Sequence, residues 1–181
     1  PENYLFEATD GEVFYDGYGR FSEIRSRLRT LPEDVRTKKI AGNVLIMNQS
    51  GQYNYFRCVR RGDEGACQLA LTEFVKAAMS VVFLLNGKYK PYYKWCFYAL
   101  RRLKSMSETA DMFEKLLTAD NKGDNVEKKE KILSGVADII AGAVSKRYDV
   151  NGDGDLEKLA YAVNNKIKSE KLRNLNIFAG V

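Results

Sequence analysis

Residues 50–87 read SGQYNYFRCVRRGDEGACQLALTEFVKAAMSVVFLLNG. Gly62-Asp63 breaks this stretch into two helical halves. Before the break, Val44, Met47, Gly51, Tyr55 and Cys58 fall on one narrow seam when turned at ~100° per residue. A glycine within that seam predicts a close approach to another helix, in the same chain or in a second copy. After the break, Leu71, Phe74, Val75, Ala78, Val82 and Leu85 cover one side, and Ala66, Ala70, Ala77 and Leu84 cover another. Only a thin polar strip remains, formed by Gln68, Thr72 and Lys76. A helix apolar on nearly every side belongs at the centre of a fold. Two long antiparallel helices, from about Pro32 to Arg61 and from about Glu64 to Asn86, therefore predict an all-α helical bundle of about six to seven helices.

Working outward, Thr30 and Glu33 have capping-box spacing before the first long helix. Asn86-Gly87 closes the second. Another helix should start near Pro91, and Ser105 and Glu108 should cap a short one ending near Thr118. Helix is expected again from Val126 to Tyr148, burying Ile132, Val136, Ile140 and Val144. A last helix from Asp155 would bury Leu156, Leu159, Ala160, Val163 and Ile167. Upstream, GEVFYDGYGRF at 11–21 holds a β-prone run, Val13 to Tyr15, before the turn pair Asp16-Gly17, with Ser22 as the next N-cap. These features divide the chain into a short strand or extended leader, 1–21, and a helical domain, 22–181. A lone strand needs a partner, and the chain opens on Pro1 rather than Met. We therefore expect the leader to be the tail of a preceding domain.

Composition narrows the chemistry. Histidine is absent, which removes the commonest general base, the commonest zinc ligand and every Ser-His or Cys-His nucleophile pair. The three cysteines, Cys58, Cys67 and Cys96, follow no zinc or redox spacing. An odd number of thiols predicts reduced cysteines and a cytoplasmic location. The longest apolar run, Ala77 to Leu85, is far short of the ~20 residues that span a bilayer, so no membrane partner is expected. The net charge of +5 is unevenly spread. Residues 1–19 carry five acids and no base, whereas residues 20–104 carry 17 Lys/Arg against 6 Asp/Glu. That middle segment would attract an anion such as a phosphate, a nucleotide or RNA.

A polar stripe flanks the apolar seam: Asn43, Ser50, Asn54, Arg57 and Arg61. Ser50, Asn54, Arg57 and Arg61, with Tyr93 and Lys94 from the next helix, are the candidate substrate contacts. The same stripe would equally serve as an interhelical polar network. Glu73, at the edge of the polar strip, is a candidate general base, or the ion-pair partner of Arg57 or Arg61. DVNGDGDLEKLA, 149–160, begins like a calcium loop. Its twelfth position, which needs a bidentate carboxylate, is Ala160, so Asp149–Asp155 reads instead as a turn with an N-cap. No metal site is assigned.

The run from Ser50 to Leu103, with ENYLFEATDGEVFYDGYGRFSEIR at 2–25, PEDVRTKKIAGN at 32–43 and LRNLNI at 172–177, resembles the helical C-terminal domain of bacterial nucleotidyltransferase-fold proteins. That domain is described only as one of unknown function and is distantly akin to the C-terminal domains of antibiotic nucleotidyltransferases. The resemblance implies a preceding domain whose Gly-Ser signature and paired carboxylates hold ATP or another NTP with magnesium. Neither feature stands in this chain. By the same resemblance, the helical domain faces a small-molecule acceptor and is not catalytic alone. A basic module that binds nucleic acid and a structural or oligomerisation domain are the alternatives.

Overall fold

The computed structural model describes residues 2–181, and their regular structure is helical throughout, with no strand among the described residues. Ten α-helical segments are present: α1 (Glu2–Thr9), α2 (Arg20–Leu28), α3 (Glu33–Met47), α4 (Phe56–Arg61), α5 (Glu64–Leu85), α6 (Cys96–Leu100), α7 (Thr109–Thr118), α8 (Asp124–Tyr148), α9 (Leu156–Asn164) and α10 (Glu170–Arg173). The all-α expectation holds. The segments exceed six to seven because the leader and the final stretch contribute α1 and α10, and the predicted helix from Pro32 to Arg61 counts as both α3 and α4.

The predicted long helix is one unbroken rod, but it is not α-helical throughout. Between α3 and α4 the backbone adopts a π-helical segment, Asn48–Tyr55. The rod then reverses at Gly62-Asp63. The Gly62 amide donates to the Val59 carbonyl at 2.9 Å, and the Asp63 amide donates to Cys58 at 3.1 Å. Gly62 lies at φ 68°, the left-handed conformation that this helix ending requires. Asp63 next accepts from the Ala66 amide at 2.9 Å and starts α5. Two residues thus stop one helix and cap the next, which turns the rod and α5 into an antiparallel pair.

The seam packs as its spacing predicts. Val44, Met47, Gly51 and Tyr55 are buried, and a Cβ added at Gly51 would meet Phe74 Cδ2 of α5 at 2.3 Å. The close approach is therefore within the chain. By length and composition α5 is apolar enough to cross a membrane, but 67% of its most apolar window is buried as the central helix of the bundle. α9 packs on α3 through Leu156, Leu159, Ala160 and Val163, and α8 covers α5 with Leu133, Val136, Ile140 and Val144.

Several local expectations are corrected. Val13 to Tyr15 form no strand; residues 2–9 are helical instead, and Arg25 of α2 folds back to donate to the carbonyls of Ala8, Asp10 and Gly11. Val13–Tyr15 find no second strand to pair with among the described residues, and the arginine fork ties the end of α1 to α2. Ser22 is not an N-cap: α2 starts after Gly19, and the Ser22 amide donates to Asp16 at 2.7 Å. Thr30 does not cap α3, whose N-cap is Pro32. Glu33 instead accepts from Arg147 of α8 at 2.9 Å, so a tertiary ion pair replaces the local box. Ser105 does not cap α7; it bonds the Asn86 side chain at the end of α5.

Asp149–Asp155 is a turn. Asn151 and Asp153 bond each other, and Asp155 caps α9 by accepting from Glu157 and Lys158. No group of three His, Cys, Asp or Glu side chains close enough to hold a metal ion occurs among the described residues.

One buried network has a measurable consequence. Tyr55 has no exposed surface, and its hydroxyl donates to Asn121 Oδ1 at 3.4 Å, the same oxygen that Lys129 reaches at 2.8 Å. Burial pushes the Tyr55 hydroxyl from 10.0 up to about 12. The folded state then keeps a proton that the unfolded state releases above pH ~10, so stability falls as pH rises from there towards 12. At ~1.4 kcal/mol per pH unit the loss is about 2–3 kcal/mol. Chemical denaturation of Tyr55→Phe across this range should lack that decline, and tyrosinate absorbance should show one of the eleven tyrosines titrating near 12.

Candidate functional site

A cleft with a volume of about 870 Å³ lies between α3, α5, the loop at 90–93 and the final residues of the chain. α3 and α5 each bring a polar strip to it at four-residue spacing. Lys39 and Asn43 come from α3, and Lys76 and Ser80 from α5; the loop adds Lys90, Tyr92 and Tyr93. Asn43 and Ser80 are held by their own helices. Asn43 donates to the Lys39 carbonyl at 2.8 Å, and Ser80 donates to that of Lys76 at 2.9 Å.

Three lysines face two carboxylates here. Lys39 pairs with Glu2 of α1 at 2.9 Å and also donates to the Gly180 carbonyl. The same Glu2 carboxylate accepts from the Lys90 amide at 3.4 Å. Lys76 pairs with Glu73 at 2.8 Å, both half open to solvent. Lys90 has no carboxylate partner among the described residues. Its ammonium donates to Ser80 Oγ and, at 3.4 Å, to the Lys76 carbonyl. Burial pulls the Lys90 pKa below its ordinary 10.5. A desolvated ammonium held by neutral oxygens is a ready partner for an anionic group entering the cleft.

The structure divides the residues singled out from sequence. Glu73 and Tyr93 line the cleft; Ser50, Asn54, Arg57, Arg61 and Lys94 do not. Ser50 is buried and donates back to the Ile46 carbonyl at 2.6 Å. Arg57 bonds and stacks on Tyr53, and Arg61 donates to the Arg57 carbonyl at 3.3 Å. Glu73 pairs with Lys76, three residues on, rather than with Arg57 or Arg61. The residues missed are Glu2, Lys39, Lys76 and Lys90 in their role as cleft wall. The usable signal was the step Gln68–Thr72–Lys76–Ser80, which extends the polar strip of α5 into the apolar run it interrupts.

A family model for a domain of unknown function, DUF4037, matches residues 1–96, just over half of the chain. The chain belongs to the DUF4037 family. Every charged side chain of the cleft lies inside the DUF4037 match; Phe178, Gly180 and Val181 complete its wall from beyond it. No curated protein and no solved structure matches this DUF4037 chain.

Proposed function

We propose that this chain is the substrate-facing helical domain of a nucleotidyltransferase-fold protein and is not catalytic by itself. The catalytic body, with its NTP and magnesium, is the partner, and the lysine-lined cleft receives a small-molecule acceptor. The observation that carries this reading is the state of residues 12–21. Arg25 binds the Asp10 and Gly11 carbonyls just before this loop, and Asp16 accepts from the Ser22 amide at its far end, yet Phe14, Tyr15 and Tyr18 are 94%, 89% and 100% exposed. Three rings presented to water from a fixed loop form an apolar surface awaiting a partner. The resemblance of 2–25 and 50–103 to the nucleotidyltransferase C-terminal domain supplies the identity of that partner.

Within the cleft, Lys90 would neutralise an anionic group on the acceptor. Glu73 would take the proton from its attacking hydroxyl or amine, a role for which a carboxylate at the cleft edge is suited.

The test uses the chain joined to its nucleotidyltransferase body, with labelled ATP, magnesium and a mixed pool of hydroxyl- and amine-bearing metabolites. Lys90→Met and Glu73→Gln should each lower transfer about tenfold, with stability changed by under ~1 kcal/mol, since neither side chain is fully buried. The chain alone should transfer nothing. Loss of transfer only in parallel with unfolding would leave a purely structural role.

A further inference from the structure

We propose that the face formed by Tyr92, Tyr93, Trp95, Tyr98 and Arg102 binds single-stranded nucleic acid by stacking bases on its rings. The proposal does not depend on a nucleotidyltransferase partner. Residues 88–104 contain six lysines and arginines and no acid. In a segment so rich in aromatic residues, burial of the rings would be the ordinary outcome. Here the anchors are Pro91, Cys96 and Leu100, which are buried, while Tyr93, Trp95 and Tyr98 are 75%, 54% and 57% exposed.

The exposed rings are arranged in pairs. Tyr92 and Tyr93 lie 4.3 Å apart, centroid to centroid, and Trp95 and Tyr98 lie 6.2 Å apart. The Arg102 guanidinium stacks 3.4 Å from the Tyr98 ring centre, and Lys94 sits 5.5 Å from that of Trp95. Arg101 is paired with Glu114 at 2.9 Å, whereas Lys94 and Arg102 form no ion pair among the described residues. The ring pairs are tilted at 44° and edge-on at 73°, and exposed rings beside cations that have no carboxylate partner are what an unpaired strand recognises.

The alternatives fit less well. A duplex keeps its bases stacked on one another and offers the rings nothing. A bilayer interface also takes tyrosine, tryptophan and cations but adds aliphatic side chains that enter the acyl boundary, and none is exposed among residues 91–100. An acidic protein would engage the cations and leave the ring faces unused.

Trp95 is the only tryptophan in the chain, so its emission reports on this face alone. The experiment titrates the full chain with a twelve-residue oligothymidylate and follows that emission. Saturable quenching is expected. Affinity should fall between about 50 and 200 mM salt with a log–log slope near −2, as about three phosphates at ~0.7 each give. Tyr98→Ala and Arg102→Ala should each weaken binding about tenfold with unchanged melting temperature, and a duplex of equal length should bind at least about tenfold more weakly. Absence of quenching, equal affinity for duplex and single strand, or indifference to Tyr98→Ala would overturn the proposal. So would quenching by phosphatidylglycerol vesicles or polyglutamate in place of the oligonucleotide, which would assign the face to a membrane or an acidic protein.

Discussion

Gly51→Val is expected to destabilise the fold by about 3 kcal/mol, at the upper end of the overpacking range. The first added carbon would lie 2.3 Å from Phe74 Cδ2 and 2.8 Å from Cε2. It is fixed to the rod backbone and cannot turn away. Phe74 has no exposed surface, so its ring has nowhere to retreat without disturbing the centre of α5. In urea denaturation the midpoint should fall while the slope stays constant. Phe74→Leu should recover part of the loss in the double variant, because a smaller side chain vacates the contested space. Gly142→Ala is the matched control. Gly142 is also helical, but nothing lies within 4 Å of an added Cβ, so that change should stabilise by up to ~1 kcal/mol. Equal behaviour of the two glycines would mean that the rod and α5 do not meet at Gly51.

Lys38→Met should cost about 2 kcal/mol or more and release the end of the chain. Lys38 is 1% exposed, and its ammonium donates to Asn164 Oδ1 at 2.9 Å, the Leu175 carbonyl at 2.7 Å and the Arg173 carbonyl at 3.3 Å. Methionine fills much of the volume but leaves these acceptors unpaired, at ~1–3 kcal/mol for each that stays dry. Relief from burying a charge offsets part of this cost. Burial pulls the Lys38 pKa below 10.5, so between the folded value and 10.5 the unfolded state binds more protons. The lysine form therefore gains stability as pH rises through that window, and the methionine variant does not. Its deficit should widen towards pH 10.5. Hydrogen exchange should show residues 165–181 losing protection first. A uniform loss over the whole chain would mean that Lys38 does not specifically fasten this segment.

The hairpin of rod and α5 was legible because two independent signals agreed. A four-residue apolar step carried a glycine where two helices meet, and Gly62-Asp63 marked the reversal. The π-helical segment Asn48–Tyr55 was not legible: steps such as Met47–Gly51–Tyr55 suit either helix type, and a wheel drawn for one hides the other. That is why Ser50, Asn54, Arg57 and Arg61 were placed on one polar stripe. The leader misled for a different reason. Val13 to Tyr15 have strand propensity, but no second strand is present among the described residues to take their hydrogen bonds.

The cleft was legible only in part. Glu73 and Tyr93 drew notice as a carboxylate and an aromatic ring in unusual positions. Lys39, Lys76 and Lys90 were not read as a group, because α3 and α5 bring the first two together and only the path of the chain after α5 adds the third. Lys38 and Lys39 show how little local sequence decides: one is sealed beneath α10 and the other opens into the cleft.

The central proposal is a division of labour, in which this chain would shape the acceptor side and an adjoining body would carry the metal-bound nucleotide. The most direct measurement is the sequence of the reading frame upstream of Pro1. The account predicts a Gly-Ser pair followed by closely spaced Asp or Glu residues in the same frame. A start codon immediately before Pro1 would contradict it.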